Sequence, residues 1–141
     1  MPRPVKVLLV EDDDVDAKAV ERSFRAAKVA NKLVRVRDGI EGLAVLRGAT
    51  SQASLPPPRI VLLDIQLPRM DGHEFLAELR ADPTIASTVV FVLTTSEAEE
   101  DRAEAYRHNV AGYIVKSRAG EGFLDLTSMI GAYWRLVELP E

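Results

Sequence analysis

The chain contains no cysteine and only two histidines among its 141 residues. The absence of cysteine excludes disulfides, thiolate catalysis and cysteine-based zinc or iron–sulfur sites. His73 and His108 lie far apart in the sequence, without the short spacing of paired metal ligands. We therefore expect both histidines to be ordinary helix or surface residues.

Long apolar runs and an excess of basic residues are also missing. The first apolar run, residues 7–10, is too short for a signal peptide core or a membrane span, so we expect a cytoplasmic protein without membrane contacts. The balance of 18 Lys and Arg against 22 Asp and Glu gives a net charge of −4. This charge argues against electrostatic capture of DNA. Five of the acidic residues lie between positions 11 and 16, so the acidity is a local feature.

The length and the hydrophobic content of 47% predict one domain with its own core. Short apolar runs alternate with helical patterns five times. The predicted strands are 5–10, 33–36, 60–63, 89–93 and 113–115, and the predicted helices are 14–30, 40–47, 71–81, 98–109 and 121–138. Because the strands are apolar throughout, they indicate a parallel sheet with helices on both faces, an α/β fold. Residues 48–58 end in three prolines and are expected to form a surface loop.

Polar side chains follow four of the five predicted strands. They are Glu11 and Asp12, Asp64 with Gln66 two residues later, Thr94 and Thr95, and Lys116. Because ligands of parallel sheets bind at the carboxyl ends of the strands, we expect these residues to form one site. The oxygen-only ligands favour a hard cation such as Mg²⁺, and an ammonium or hydroxyl group can bind phosphoryl oxygens. The set predicts phosphoryl transfer, with Asp64 as the nucleophile that forms an aspartyl-phosphate.

The remaining acids of the first cluster have a simpler interpretation. Asp13, Asp14 and Asp16 are expected to cap the first helix and to interact favourably with its dipole. A nucleotide-binding module is disfavoured, because no glycine-rich phosphate loop follows the first strand.

Four motifs carry a resemblance to a known family. They are LLVEDD at 8–13, LLDIQLPRMDG at 62–72, VLTTS at 92–96 and YIVK at 113–116. With these motifs the chain resembles the receiver domain of two-component response regulators, of the single-domain chemotaxis type. The resemblance covers nearly the whole chain and implies that residues 1–141 form a single receiver domain, with a C-terminal helix extension at about 121–139. It implies a flavodoxin-like doubly wound sheet of five parallel strands in the order 2-1-3-4-5.

The resemblance also implies roles for individual residues. Asp64 is implied to be the phosphoacceptor. Asp12 and Asp64, with the backbone carbonyl of Gln66, are implied to bind Mg²⁺, for which Mn²⁺ can substitute. Glu11 is implied to assist through water. The family further implies that Thr94 and Lys116 contact the phosphoryl group and that Tyr113 is the aromatic switch residue, which turns inward when Thr94 moves toward the phosphate.

One position departs from the family pattern. The family usually has proline after the lysine, joined by a cis peptide bond, whereas Ser117 follows Lys116 here. A cis bond before a residue other than proline costs about 2.5–4 kcal/mol. We therefore expect either a trans bond with a reshaped loop or a cis bond held under strain.

A narrower resemblance is to the regulators paired with bacterial and cyanobacterial phytochrome kinases. TTSEAEED at 94–101, AYWRLVELP at 132–140 and the proline loop before the third strand carry it. It implies a sensor histidine kinase partner, of phytochrome type, and a homodimer formed through the last helix and strand. Tyr133 and Leu136 are the candidate interface residues, whereas Trp134 falls on the core stripe of the helix.

The main hypothesis is a phosphorylatable switch that signals through protein contacts or onward phosphotransfer. In it the receiver uses the whole chain and catalyses only its own phosphorylation and dephosphorylation. Two alternatives stay open. One is a binding module that is never phosphorylated, a pseudo-receiver. The other is a Mg²⁺-dependent phosphatase of the haloacid-dehalogenase type, although such enzymes usually carry an acid where Gln66 stands.

Overall fold

Five parallel strands form the centre of the molecule. The computed structural model describes residues 5–28, 30–49 and 55–140. The strands are β1 Val5–Val10, β2 Ala30–Val36, β3 Ile60–Leu63, β4 Val89–Thr94 and β5 Gly112–Val115. They pair in the order β2-β1-β3-β4-β5, which confirms both the predicted fold class and the predicted strand order.

Five α-helices connect and cover these strands. They are α1 Asp14–Ala27, α2 Gly39–Leu46, α3 Gly72–Ala81, α4 Glu99–Arg107 and α5 Leu124–Leu136. One core cluster joins the sheet to α2, α3 and α4, and a second joins the opposite face to α1 and α5. Alternate residues of β1 supply both clusters, so this inner strand is buried on both faces, as its continuous apolar sequence predicts. No helix in the described part of the chain is long and apolar enough to cross a membrane.

The helix starts follow local capping chemistry. Asp13 caps α1 by accepting a hydrogen bond from the amide of Asp16, so the predicted role of Asp13 as a helix cap is confirmed. Asp71 and Glu74 form a reciprocal capping box at the start of α3. The start of α3 is thereby fixed directly after the loop that contains Asp64.

The junction between α1 and β2 differs from the sequence-based prediction. The first helix was predicted to reach residue 30, but α1 ends at Ala27 because Lys28 adopts a left-handed conformation. This early end allows β2 to begin at Ala30, three residues before its predicted start. Residues 50–54 of the predicted proline loop lie outside the described residues.

The last helix is shorter than predicted. Residues 121–123 form a 3₁₀ turn in which Gly122 and Phe123 have positive φ, so the α-helix starts only at Leu124. It ends at Leu136, after which Val137 is extended and 37% exposed rather than part of the core stripe. The predicted helix extension of 121–139 is therefore wrong at both ends. The core position of Trp134 is confirmed, since it is 4% exposed.

Candidate functional site

The sheet brings the predicted site residues to one edge. Val10 pairs with Leu63 in the parallel ladder between β1 and β3, so the residues that follow them, Glu11 and Asp64, emerge side by side. The amide of Asp64 donates to the carbonyl of Val10 at 3.0 Å, which extends this ladder into the loop. Both carboxylic residues are buried. Two acidic side chains with little access to water thus lie next to each other.

Lys116 is the residue that neutralises these acids. Its Nζ atom lies 2.7 Å from Oε1 of Glu11, 3.0 Å from Oδ2 of Asp64 and 2.7 Å from Oδ2 of Asp16. The lysine side chain is only 9% exposed, so these interactions take place in a poorly solvated environment. One ammonium group therefore connects the ends of β1, β3 and β5 to the first turn of α1.

Burial and ion pairing shift the pKa of Glu11 in opposite directions, and the same is true of Lys116. Burial raises the pKa of Glu11 to about 7, although the hydrogen bond from Lys116 acts to lower it. Burial alone would lower the pKa of Lys116, but its hydrogen bonds to Asp16 and Glu11 hold that pKa above its usual value. The lysine is thus cationic throughout the physiological range, while buried Glu11 gains a proton at a higher pH than an exposed glutamate does.

Asp16 is a site residue that the sequence analysis assigned only to the helix start. Its carboxylate binds Lys116 across 100 positions of sequence. The sequence offered no direct signal for this contact, because Asp16 stands in the first turn of α1, where an acid is expected for the helix start alone. Asp14 is also not merely a helix-dipole acid, since it pairs with Arg35 and Arg37 on β2 and beyond its end.

Asp64 has its two carboxylate oxygens held by different groups. Oδ1 accepts a hydrogen bond from the amide of Gln66 at 3.1 Å, while Oδ2 faces Lys116. The backbone amide of Gly72 lies close by, bonded to the carbonyl of Ile65. A Cβ at Gly72 would fall 2.8 Å from the carbonyl oxygen of Asp64, so only glycine lets α3 start this near the loop.

Asp12 differs from the other acids of the edge in being exposed. Within the described residues its carboxylate makes no hydrogen bond or ion pair. The side chain of Gln66 is exposed too, and its Oε1 accepts a hydrogen bond from Thr95 at 3.2 Å. The open side of the site is therefore lined by oxygen atoms that face solvent.

The donor set suits a hard divalent cation. Carboxylates and a backbone carbonyl are the oxygen ligands that Mg²⁺ binds, and Mg²⁺ usually keeps several waters. No cluster of three or more acidic or histidine side chains in the described ranges is spaced to enclose a metal. In the structure the positive charge next to these acids is supplied by the ammonium group of Lys116.

The loop after β4 connects the site to the α4 surface. Thr94 is fully buried at the end of the strand, and its hydroxyl accepts a hydrogen bond from the amide of Ser96 at 3.3 Å. The carbonyl of Ser96 in turn accepts from the hydroxyl of Tyr113 at 2.9 Å. Tyr113 is half-buried against the core. The predicted switch residues are therefore joined through one loop residue.

His73 also belongs to this loop network, which the sequence analysis did not foresee. Its Nε2 atom lies 2.9 Å from Oδ1 of Asp101, and the hydroxyl of Ser96 donates to the other oxygen of the same carboxylate. The hydrogen bond from Ser96 and the one with His73 both lower the pKa of Asp101. The histidine thereby ties the start of α3 to the first turn of α4.

The peptide bond after Lys116 is trans, because the cis peptide of the described residues is Pro57–Pro58. The chain then enters a 3₁₀ turn at Lys116–Arg118. Of the two expected outcomes for Ser117, the trans bond is therefore the one observed. Lys116 nevertheless reaches both Glu11 and Asp64.

Comparison with known proteins gives one consistent family. A model described as the response regulator receiver domain matches residues 7–126. Response regulator Rcp1 of Synechocystis sp. is 34% identical over 138 residues, which cover 97% of this chain and 94% of that protein.

Solved structures agree with the sequence match. The phosphorylated cyanobacterial phytochrome response regulator RcpA superposes with a TM-score of 0.81 at 34% identity, covering 99% of this chain and all of that one (100%). The Mn²⁺-bound form of response regulator Rcp1 superposes with a TM-score of 0.83 at 34% identity, covering 98% of this chain and 100% of that one.

Replacement of Lys116 by methionine tests the charge balance of the site. Lys116→Met leaves Glu11 and Asp64 buried without their cation, so we expect the free energy of unfolding to fall by about 3–5 kcal/mol in chelator-treated protein. Urea denaturation followed by circular dichroism measures it. Lys18→Met, at an exposed position on α1, is the matched control and should change stability by less than about 0.5 kcal/mol. Equal losses in both variants would contradict the arrangement.

The raised pKa of Glu11 predicts a pH dependence of stability. From the ordinary value of 4.5 up to about 7, the unfolded chain releases a proton that folded Glu11 retains. Stability of the metal-free protein should therefore fall as pH rises through that window. Glu11→Gln removes the titrating group and should flatten the slope in urea denaturation between about pH 5 and pH 8. An identical slope in both proteins would show that Glu11 titrates normally.

Proposed function

Because the chain belongs to the response regulator receiver domain family, we propose that Asp64 is the residue on which it accepts a phosphoryl group from a histidine kinase. The protein is a phosphorylatable response regulator of two-component type, homologous to phytochrome response regulators. The observation that carries the assignment to Asp64 is its buried carboxylate, with Lys116 at 3.0 Å from one oxygen and the amide of Gln66 on the other.

We further propose that the described residues act as one receiver unit. The family match ends at residue 126, within α5. Thr127, Ile130, Trp134 and Leu139 beyond that point are all buried, and the apolar members belong to the core shared with α1. The end of the helix and the residues after it therefore complete the same core.

The proposed metal ligands are the carboxylates of Asp12 and Asp64 and the backbone carbonyl of Gln66, with Glu11 acting through water. The Mn²⁺-bound structure of Rcp1 supports a divalent cation in this class of protein, and Mg²⁺ fits the same oxygen ligands. Such a cation, when bound, would neutralise charge that develops on the phosphoryl oxygens. It would also take over the neutralisation of Glu11 and Asp64 that Lys116 provides here.

The transfer needs one new bond and one broken bond. An oxygen of Asp64 attacks the phosphorus of a phosphohistidine, and the phosphorus–nitrogen bond breaks. The electron pair stays on the imidazole nitrogen, which takes up a proton, and Asp64 becomes an acyl phosphate. Lys116 is positioned to turn from the carboxylates to a phosphoryl oxygen as a point charge.

The signalling step in this proposal uses the loop after β4. The hydroxyl of Thr94 is bonded only weakly, at 3.3 Å to Ser96, and is free to donate to another phosphoryl oxygen. Movement of Thr94 would shift Ser96, whose carbonyl holds the hydroxyl of Tyr113. The surface formed by α4 and β5 would then report the phosphorylation state to a protein partner or a further phosphotransfer protein.

Phosphorylation of the purified protein by acetyl phosphate and Mg²⁺ tests the assignment. We expect intact-mass spectrometry to show one added phosphoryl group, which disappears in Asp64→Asn. Asp13→Asn is the matched control, because asparagine also caps helices and Asp13 is only the N-cap of α1. An adduct retained in Asp64→Asn would reject the assignment. No adduct with any phosphodonor would favour the pseudo-receiver, and rapid turnover of a phosphate ester would favour the phosphatase.

We also propose a phytochrome-type sensor histidine kinase as the partner and a homodimer through α5 and β5, without DNA binding. The phytochrome regulators among the relatives support the kinase class. β5 is an edge strand, and Leu136 at the end of α5 is 83% exposed. Tyr133 is half-buried, with its ring against Phe91 at 5.0 Å, so Leu136 is the more accessible of the two predicted interface residues.

Light scattering tests the dimer. Leu136→Asp places a charge in the proposed interface, so we expect the measured mass to fall from dimer to monomer. Val15→Asp is the control, because Val15 is also highly exposed but lies in the first turn of α1, on neither of the two elements proposed for the interface. A dimer that survives Leu136→Asp would reject this surface.

A further inference from the structure

The acidic loop between β1 and α1 is held by an arginine that is not itself among the proposed ligands. We infer that Arg35, on β2, is a positioning residue that fixes the peptide between Glu11 and Asp12 and so presents these acids to a divalent cation. The inference rests on the proposed function, since it concerns the same metal site.

The side chain of Arg35 spans the acidic loop. Its Nε donates to the backbone carbonyl of Glu11 at 2.8 Å, and its Nη1 lies 2.9 Å from Oδ1 of Asp14. The two contacts fall on either side of residues 12 and 13. The arginine side chain is only 16% exposed, so these bonds compete little with water.

The strand geometry directs Arg35 to this position. Side chains two residues apart on a strand share a face, and Leu33 packs in the cluster formed with α1 and α5. Arg35 therefore rises on the α1 side of the sheet, at the end of β2 that adjoins Glu11. Its side chain lies on the same face of β2 as Leu33, and its guanidinium reaches the loop between β1 and α1.

Both backbone polar groups of Glu11 are tied to β2. Its amide donates to the carbonyl of Val36 at 3.0 Å, and its carbonyl accepts from Arg35. The carbonyl of Glu11 and the amide of Asp12 belong to one planar peptide unit. The bond from Arg35 thus fixes the plane from which the Asp12 side chain departs, although no atom of Arg35 would touch the cation.

The planar guanidinium is needed for this double contact. It presents donors in a fixed fork, whereas a lysine ammonium is a single point charge on a flexible chain. In the described part of the chain the buried Nη2 of Arg35 finds no acceptor, so the group is held in place by its bonds to Glu11 and Asp14. A substitution of Arg35 by lysine therefore keeps the positive charge but removes the two-donor geometry, so the two contributions can be measured separately.

Arg37 provides a natural control. Its guanidinium also lies 2.9 Å from Oδ1 of Asp14, but the side chain is 56% exposed. Arg37 follows the last residue of β2. It shares with Arg35 the charge and one partner, and lacks the bond to the carbonyl of Glu11. Removal of Arg37 therefore causes the same loss of charge as removal of Arg35, but leaves the hydrogen bond to the carbonyl of Glu11 intact.

Isothermal titration of the folded, purified protein with Mg²⁺ tests the inference. We expect Arg35→Met to raise the Mg²⁺ dissociation constant by about tenfold, the lower end of the effect seen for residues that orient metal ligands. Arg37→Met should change it by less than about twofold, because exposed charges are well screened. Arg35→Lys should resemble Arg35→Met, since the charge remains but the fork is lost.

A second readout needs no metal. Backbone ¹⁵N relaxation of the chelator-treated protein should show increased motion at Asp12 and Asp13 in Arg35→Met and in Arg35→Lys, but not in Arg37→Met. Should Arg35→Met fail to fold, as judged by circular dichroism, the lysine variant carries both measurements.

Two outcomes would overturn the inference. They are a dissociation constant for Arg35→Met that matches wild type, and full rescue by Arg35→Lys, which would reduce the effect to charge alone. Failure of the proposed function looks different, because wild-type protein would then bind no Mg²⁺ and accept no phosphoryl group from acetyl phosphate.

Discussion

The contact of Lys116 with three carboxylates is the interaction on which the rest of the site depends. Glu11 and Asp64 are buried beside each other, and ionised acids without water or a counter-ion are costly. Lys116 comes from the far end of the chain to neutralise them. The strand order, which places β1 beside β3 and leaves β4 and β5 on the same side, makes this contact possible.

The same constraint explains how the site can work. Buried acids that need positive charge will accept it from a lysine or from a divalent cation, and the two arrangements differ in what Lys116 is free to contact. Around this centre the neighbouring charges are held by the backbone, with Arg35 bonded to the carbonyl of Glu11 and Asp64 bonded to the amide of Gln66. The exposed side, at Asp12, is left open to solvent. The loops that carry Glu11 and Asp64 are thus each held by a hydrogen bond close to the acid.

The region most able to transmit a change is the loop after β4. Ser96 contacts Thr94 through its amide, Tyr113 through its carbonyl and Asp101 through its hydroxyl. His73 joins the same carboxylate from α3. A displacement of the loop would therefore alter the contacts of Ser96 with β5 and α4 directly, and the contact with α3 through the carboxylate of Asp101 that Ser96 and His73 share.

The sequence by itself determined the fold class, because uninterrupted apolar strands alternating with helical patterns leave few packings other than a covered parallel sheet. It also determined which acids, hydroxyl and lysine follow the strands, and so the chemistry of the edge. Local φ angles shortened α1 and α5, since Lys28 and Phe123 adopt left-handed conformations that residue patterns do not reveal. The tertiary structure alone decided that Asp16 binds Lys116, that Arg35 holds the acidic loop and that His73 joins the loop after β4. Each of these contacts joins residues distant in sequence, and side-chain direction across packed elements is set by the assembled sheet and helices rather than by neighbours along the chain.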